Sequence, residues 1–217
     1  MNLHNEISET ALDEVQKRFY GVAVGIVTDV MDPTMQGRIK VKLPWFIGDE
    51  DTAWARVATP SAGGQRGIYF IPKVEDEVLL AFEQGDVEHP YIIGSLWNLQ
   101  DMPPELSPLL GKSLIKTRAG HLLEFDDTQQ SITIETSTGQ KTVMDPLKIE
   151  LSNSAGSLKI SMDNSSQTVT IESAVNLELK GVNIKIEGAN VEINGTAKTD
   201  VKSTGICTIQ GSLVKIN

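Results

Sequence analysis

Residues 147–217 read LKIELSNSAGSLKISMDNSSQTVTIESAVNLELKGVNIKIEGANVEINGTAKTDVKSTGICTIQGSLVKIN. The stretch divides into short beads, among them TVTIES, VNLELKG, VNIKIEG and ANVEING, in which apolar and polar residues alternate. Alternation with period two is the signature of a strand with one buried face. Gly, Asn, Ser and Asp separate the beads, and these residues turn a backbone at low cost. The apolar anchors Ile171, Leu179, Ile186, Ile193, Val201, Ile209 and Ile216 recur at steps of eight, seven, seven, eight, eight and seven residues, which is an internal repeat. A step of seven also suits a coiled coil, but β-branched beads rich in Gly and Asn are poor helix formers and good strand formers.

One strand and one bend per seven or eight residues turns a single corner before the chain must pair. A three-sided coil of one chain would use about 24 residues per layer, so this tail would build only about three layers. If three chains share the prism, each supplies one side at a time and rises by roughly 4.8 Å per bead, and every strand edge meets a neighbouring chain. The sequence therefore predicts an intertwined homotrimeric β-helix, with the seven anchors on the trimer axis.

The chain has 217 residues, of which 40% are hydrophobic, and a formal net charge of -10. That charge argues against nucleic acid or an anionic membrane as a ligand, because phosphate binding rests on Lys and Arg. A single cysteine, Cys207, rules out an intrachain disulfide, and its place inside a bead makes it a small filler or an outward-facing sulfur. No apolar run approaches the roughly 18 residues of a membrane span. The beginning, MNLHNEISET, carries neither the basic nor the apolar region of a signal peptide, so synthesis in the cytoplasm is expected.

Upstream the pattern changes. Leu3, Ile7, Leu12, Val15 and Phe19, with Thr10 and Asp13 in a capping-box-like spacing, predict a short amphipathic helix or arm over 1–19. Over 20–100, the runs GVAVGIVTDV, GRIKVKLPW, AWARVAT, GIYFIP, DEVLLAFE and YIIGSLW are separated by turn-rich segments and predict a small antiparallel barrel of the OB type. Gly85 and Asp86 followed by His89 and Pro90 read as the turn between its last two strands. Trp45, Trp54, Tyr69, Phe70 and Trp97 are not interleaved with basic residues and read mostly as core or interface. Three prolines, Pro103, Pro104 and Pro108, make 101–117 a stiff linker, and the shaft occupies 118–217. The fold class is thus all-β, a barrel followed by a trimeric β-prism, with a short helix at the start.

GRIKVKLPW (37–45), GIYFIPKVEDEVLLAFEQGDVEHPYIIGSLWN (67–98) and KTRAGHLLEFDDT (116–128), in that order and followed by the beads, resemble the spike proteins of contractile injection machines. The chain is similar to phage baseplate assembly protein V and to the C-terminal half of the type VI secretion spike VgrG, over about residues 20–217. Gly120, His121, Phe125, Asp126 and Asp127 carry the third motif. The resemblance implies an OB barrel at the top of the spike and a trimeric shaft that pierces the target membrane. It also implies a hub protein on the baseplate or tube side, residence in a virion or injection particle, and transient contact with the target envelope. Some phage spikes of this kind hold iron at the tip through His-x-His, but here the three histidines, His4, His89 and His121, all precede the beads. No metal or other cofactor is therefore assigned. A blunt trimeric end at Leu213, Val214, Ile216 and Asn217 would leave strand edges to be covered, and the resemblance makes that cover a PAAR-repeat tip protein.

His121 with Glu124, Asp126 and Asp127 is the only crowded set of titratable groups, and a hydrolase can use such groups as acid and base. The simpler reading is that they start and turn a strand. No Ser stands in a G-x-S-x-G context and no Gly-rich phosphate loop is present, so no catalytic residue is assigned. Two rivals to the spike remain at this level: a β-helical tail enzyme degrading cell wall or polysaccharide, and an OB module binding nucleic acid or a protein cargo.

Overall fold

The computed structural model describes residues 18–44, 54–104 and 111–216. Two compact units divide at Ile132 and Thr133. Regular structure among the described residues is all strand. The helix predicted around Leu3 to Val15 lies outside the described residues, as does Trp45. Phe19 is described and is not helical. Its N–H donates to the carbonyl of Gly85 at 2.8 Å, and its ring meets Phe82 edge-on with centroids 5.6 Å apart.

The first unit holds β1 (Ala23–Asp29), β2 (Ile39–Lys42), β3 (Trp54–Val57), β4 (Ala62–Gly63), β5 (Arg66–Gly67), β6 (Glu77–Glu83) and β7 (Asp86–Leu96). Five of these close a barrel in the order β1-β2-β3-β7-β6. The β3–β7 pair is parallel and the other barrel pairs are antiparallel. This is the OB arrangement expected from the run of short strands. Alternation fills the interior: Ala23 and Val27, Ile39 and Val41, Ala55, Val78, Leu80 and Phe82, and Ile92 are all buried. Gly25 belongs to the inward set, and a Cβ there would lie 2.7 Å from the Leu80 methyl Cδ1.

Two expectations need correction. GIYFIP is not a barrel strand: Ile68, Tyr69 and Phe70 lie in the loop after β5 and are exposed. Backbone groups of that loop bond locally, Ile68 N–H to the Ser61 carbonyl at 3.0 Å and the Thr59 hydroxyl to the Ile68 carbonyl at 2.6 Å. Gly67 (φ +148) brings the chain so close to Ser61 that a Cβ would stand 2.5 Å from its carbonyl oxygen, which takes the segment off the barrel. The second correction concerns the β6–β7 connection. Its turn is Gln84-Gly85, both with positive φ (50° and 82°), the two-residue form whose twist suits a hairpin. His89 and Pro90 belong to β7, and the register shift beside Phe82 accommodates a proline that cannot donate to the ladder.

Asp32 orders the loop between β1 and β2. Its Oδ1 accepts from the Thr34 N–H, the Thr34 hydroxyl and Arg38 Nη2, and its Oδ2 accepts from the Gln36 and Arg38 N–H groups and from Arg38 Nε, all between 2.8 and 3.2 Å. The Arg38 guanidinium, followed by those N–H donors, holds the carboxyl far below the usual carboxylate range.

Downstream, β8 (Lys112–Lys116) and β9 (Leu122–Asp126) form a hairpin in the first unit, and β10 (Ser131–Glu135) runs across the division. In the second unit β11 (Lys141–Met144), β12 (Lys148–Ser152), β13 (Leu158–Asp163) and β14 (Thr168–Ser173) make an antiparallel meander. Aspartates make two of its three turns: Asp145 accepts from the Leu147 and Lys148 N–H groups, and Asp163 from those of Ser165 and Ser166, each at 2.8 Å.

Candidate functional site

The registers of β11 to β14 sort the meander into two faces. Met144 pairs with Ile149, Ile149 with Met162 and Met162 with Val169, and in the next row Leu151 pairs with Ile160 and Ile160 with Ile171. These side chains form one apolar face, each between 36% and 64% exposed. Lys148, Glu150, Lys159 and Glu172 occupy the other face, with Lys148 Nζ 2.9 Å from Glu150 and Lys159 Nζ 3.4 Å from Glu172. The Glu150 carboxylate raises the Lys148 pKa. A sheet normally covers its apolar face and leaves the polar one wet. Here the apolar face is open, and continuous exposed apolar surface of this kind marks an interaction site.

The beads beyond β14 carry the same character further. No strand pairing is assigned between Ala174 and Ile216 among the described residues. Every anchor of that stretch is exposed: Leu179, Ile186, Ile193, Val201, Ile209 and Ile216 range from 63% to 88%. Of the seven anchors read from the repeat, Ile171 alone lies in an intrachain strand, opposite Ile160. Beads 147–173 therefore differ from the one-side-per-bead reading: LKIELS, LKISM and TVTIES fold back on one another within the chain. Leu213, Val214 and Ile216 are exposed as well, and Asn217 lies outside the described residues.

The titratable set around His121 lies along β9 and at its two ends. Glu124 and Asp126 share one face of β9 with Lys112 across the hairpin, at 3.3 and 3.8 Å. His121 stands just before the strand, and its N–H donates to the Thr117 hydroxyl at 3.1 Å. Asp126 is buried and accepts from the Gln129 N–H at 2.8 Å, and the Asp127 N–H donates to the Gly111 carbonyl at 2.9 Å. Gly120 (φ 95°) makes the turn that leads into β9, and Phe125 is 40% exposed. The motif thus builds and ends a strand. Among the described residues no cluster of three or more His, Cys, Asp or Glu could hold a metal ion.

In the barrel, Tyr69, Phe70 and Trp97 are exposed and Trp54 is half-buried, so these aromatics supply surface rather than core. Tyr69 and Phe70 line a groove of about 500 Å³ together with Val57, Ile68 and Arg66, the one cation in its wall among the described residues.

Residues 23–97, the barrel and one residue beyond, match the family described as the Type VI secretion system/phage-baseplate injector OB domain. The chain is similar to VgrG and baseplate spike proteins. The type VI secretion system spike protein VgrG3 of Vibrio cholerae is 36% identical over 76 residues, 33% of this chain and 8% of that protein. Spike protein VgrG2a of Pseudomonas aeruginosa is 34% identical over 107 residues, 44% of this chain and 13% of that protein. The actin cross-linking toxin VgrG1 of Vibrio cholerae is 33% identical over 76 residues, covering 33% of this chain and 7% of the toxin. The chain spans only a small part of the length of the curated relatives it matches. The spike-like character therefore rests on the barrel, its match and the open apolar beads together.

Proposed function

We propose that three copies of this chain wind their C-terminal beads into a shaft and serve as the structural central spike of a contractile tail or phage-like injection particle. The observation that carries this reading is the tail beyond Ser173, where apolar anchors alternate along the backbone without a strand partner among the described residues of their own chain. Backbone N–H and C=O groups demand partners once their side chains are buried. Neighbouring copies supply both the hydrogen bonds and the apolar cover. The barrel docks to a hub protein at the tube side, as its match to an injector OB domain supports. Synthesised in the cytoplasm, the spike becomes part of the particle.

Sheath contraction drives the shaft through the target envelope, and the shaft's task is to stay folded under load. Interlocked chains raise the unfolding barrier, which suits that task. A PAAR-repeat tip protein covers the end formed by Leu213, Val214, Ile216 and Asn217, because three blunt chain ends leave strand edges open. The role is mechanical rather than catalytic, a reading supported by the likeness to VgrG spike proteins. Light scattering under native and denaturing conditions tests the proposal. Three times the 23.6 kDa chain mass is expected in native buffer, and a native mass of one chain refutes it.

A further inference from the structure

We infer that the charges on the repeats Val175–Gly181, Val182–Gly188 and Ala189–Gly195 set the register in which copies of this chain stack. The inference rests on the trimeric reading above and adds to it the rule by which the copies align. The repeats read VNLELKG, VNIKIEG and ANVEING. Their fourth positions are Glu178, Lys185 and Glu192, and their sixth are Lys180, Glu187 and Asn194. Within each repeat these two side chains meet. Lys180 pairs with Glu178, Lys185 Nζ lies 2.5 Å from Glu187 Oε1, and Asn194 Nδ2 donates to Glu192 Oε1 at 2.6 Å. All are therefore on one side of the extended bead, and Leu177, Leu179, Ile184 and Ile186, at the alternate positions, are on the other.

The pair inside a bead is indifferent to its order, since Glu-x-Lys and Lys-x-Glu make the same contact. These charges are also exposed, 65% to 83% in the first two repeats, where an isolated pair contributes little. The order nevertheless inverts from the first repeat to the second. That inversion acts only between beads. In an intertwined prism the strand above a given bead is the following bead of another copy, about 4.8 Å away. In the aligned register Glu178 meets Lys185, Lys185 meets Glu192, and Lys180 meets Glu187. Asn176, Asn183 and Asn190 fall into one column, where amides stack and bond along the ladder.

The competing registers are those displaced by two residues, because a slip of one would turn the apolar side outward and a slip of two would not. A slip of two in one direction sets Glu178 against Glu187. In the other direction it sets Lys180 against Lys185 and Glu187 against Glu192. Like charges directly opposite one another are destabilising, so the pattern opposes both slips that the apolar side permits.

The test is the double variant Lys185→Glu/Glu187→Lys in the full chain. It preserves net charge, composition and the pair within the bead, but puts three glutamates in the fourth-position column and two lysines in the sixth. Native mass and the rate of unfolding in urea, a non-ionic denaturant, are measured at low and at high salt. The expected result is unfolding faster by about tenfold at low salt, or loss of the trimer, with the difference shrinking at 1 M salt where the Debye length is about 3 Å. Adding Glu178→Lys, Lys180→Glu and Glu192→Lys restores alternation with every sign inverted and should return the original rate. A double variant that is trimeric and unfolds at the parental rate overturns the register rule, as does a defect that the five-residue variant does not repair. A monomeric parental chain instead overturns the trimeric reading itself, so the two failures are distinguishable.

Discussion

Asp32 shows how much one side chain can organise. Six contacts converge on its carboxylate, and its side chain is 3% exposed while Arg38 retains 26%. Because its folded pKa is depressed, its contribution to stability is complete above the ordinary carboxylate pKa of about 4 and is lost as pH falls below it. Asp86, which accepts from the Glu88 N–H and pairs with His89, and Asp163, which accepts from Ser165 and Ser166, shift the same way. Asp32→Asn keeps the shape but weakens the Arg38 pairing. It should lower the thermal midpoint at pH 7 and flatten the loss of stability between pH 4 and pH 2, measured by circular dichroism across that range. Gly25 makes a different demand at the same scale. Leu80 is fully buried, and a Cβ 2.7 Å from its methyl would force that side chain to shift within the packed core, so Gly25→Ala should cost about 1–3 kcal/mol in urea unfolding of the barrel.

At the scale of the element, the beads are the unit of construction, and their exposed anchors define what each must bury. Burying one isoleucine is worth roughly 1.5–3 kcal/mol, and in the proposed trimer an axis position would bring three copies together. Ile186→Asp should place three carboxylates in one apolar layer and prevent trimerisation, while the barrel keeps its near-ultraviolet dichroism. A heat-resistant trimer of this variant, seen on a native gel, would contradict the inward assignment of Ile186. The meander of β11 to β14 uses a shorter-range solution: hairpins turned at Asp145 and Asp163 pair each strand inside the chain and leave only the side chains of one face for a partner.

For the whole molecule the consequence is a division of labour along the chain. The barrel closes its own sheet and buries its own core. The tail beyond Ser173 has no strand partner within the chain among the described residues, so in the proposed trimer its order depends on assembly. Dilution or mild urea should therefore release the tail to proteolysis together with the loss of trimer mass, while a barrel fragment persists. Mass spectrometry of the digest, read beside native mass at each urea concentration, checks this. A tail that resists protease in a monomeric fraction would contradict the dependence.

Local pattern was enough to establish the all-β class, the barrel and the repeat, because period-two alternation at Ala23, Gly25 and Val27, or at Leu177, Leu179 and beyond, records which side of a strand is apolar whatever that side packs against. The same pattern already read the His121 set as the start and turn of a strand, because Gly120 precedes an apolar run that Asp126 and Asp127 end. Only the tertiary structure decided where pairing is internal and where it is not. TVTIES and VNLELKG look alike as strings, yet one completes a hairpin opposite Ile160 and the other finds no strand partner among the described residues of its own chain. Likewise GIYFIP alternates well enough for a strand, but Gly67 passing against Ser61 turns it into an exposed loop. Alternation reports a side chain's environment, whereas a strand exists only when another backbone lies beside it, and that neighbour is chosen by closure of the barrel and the turns, far away in sequence.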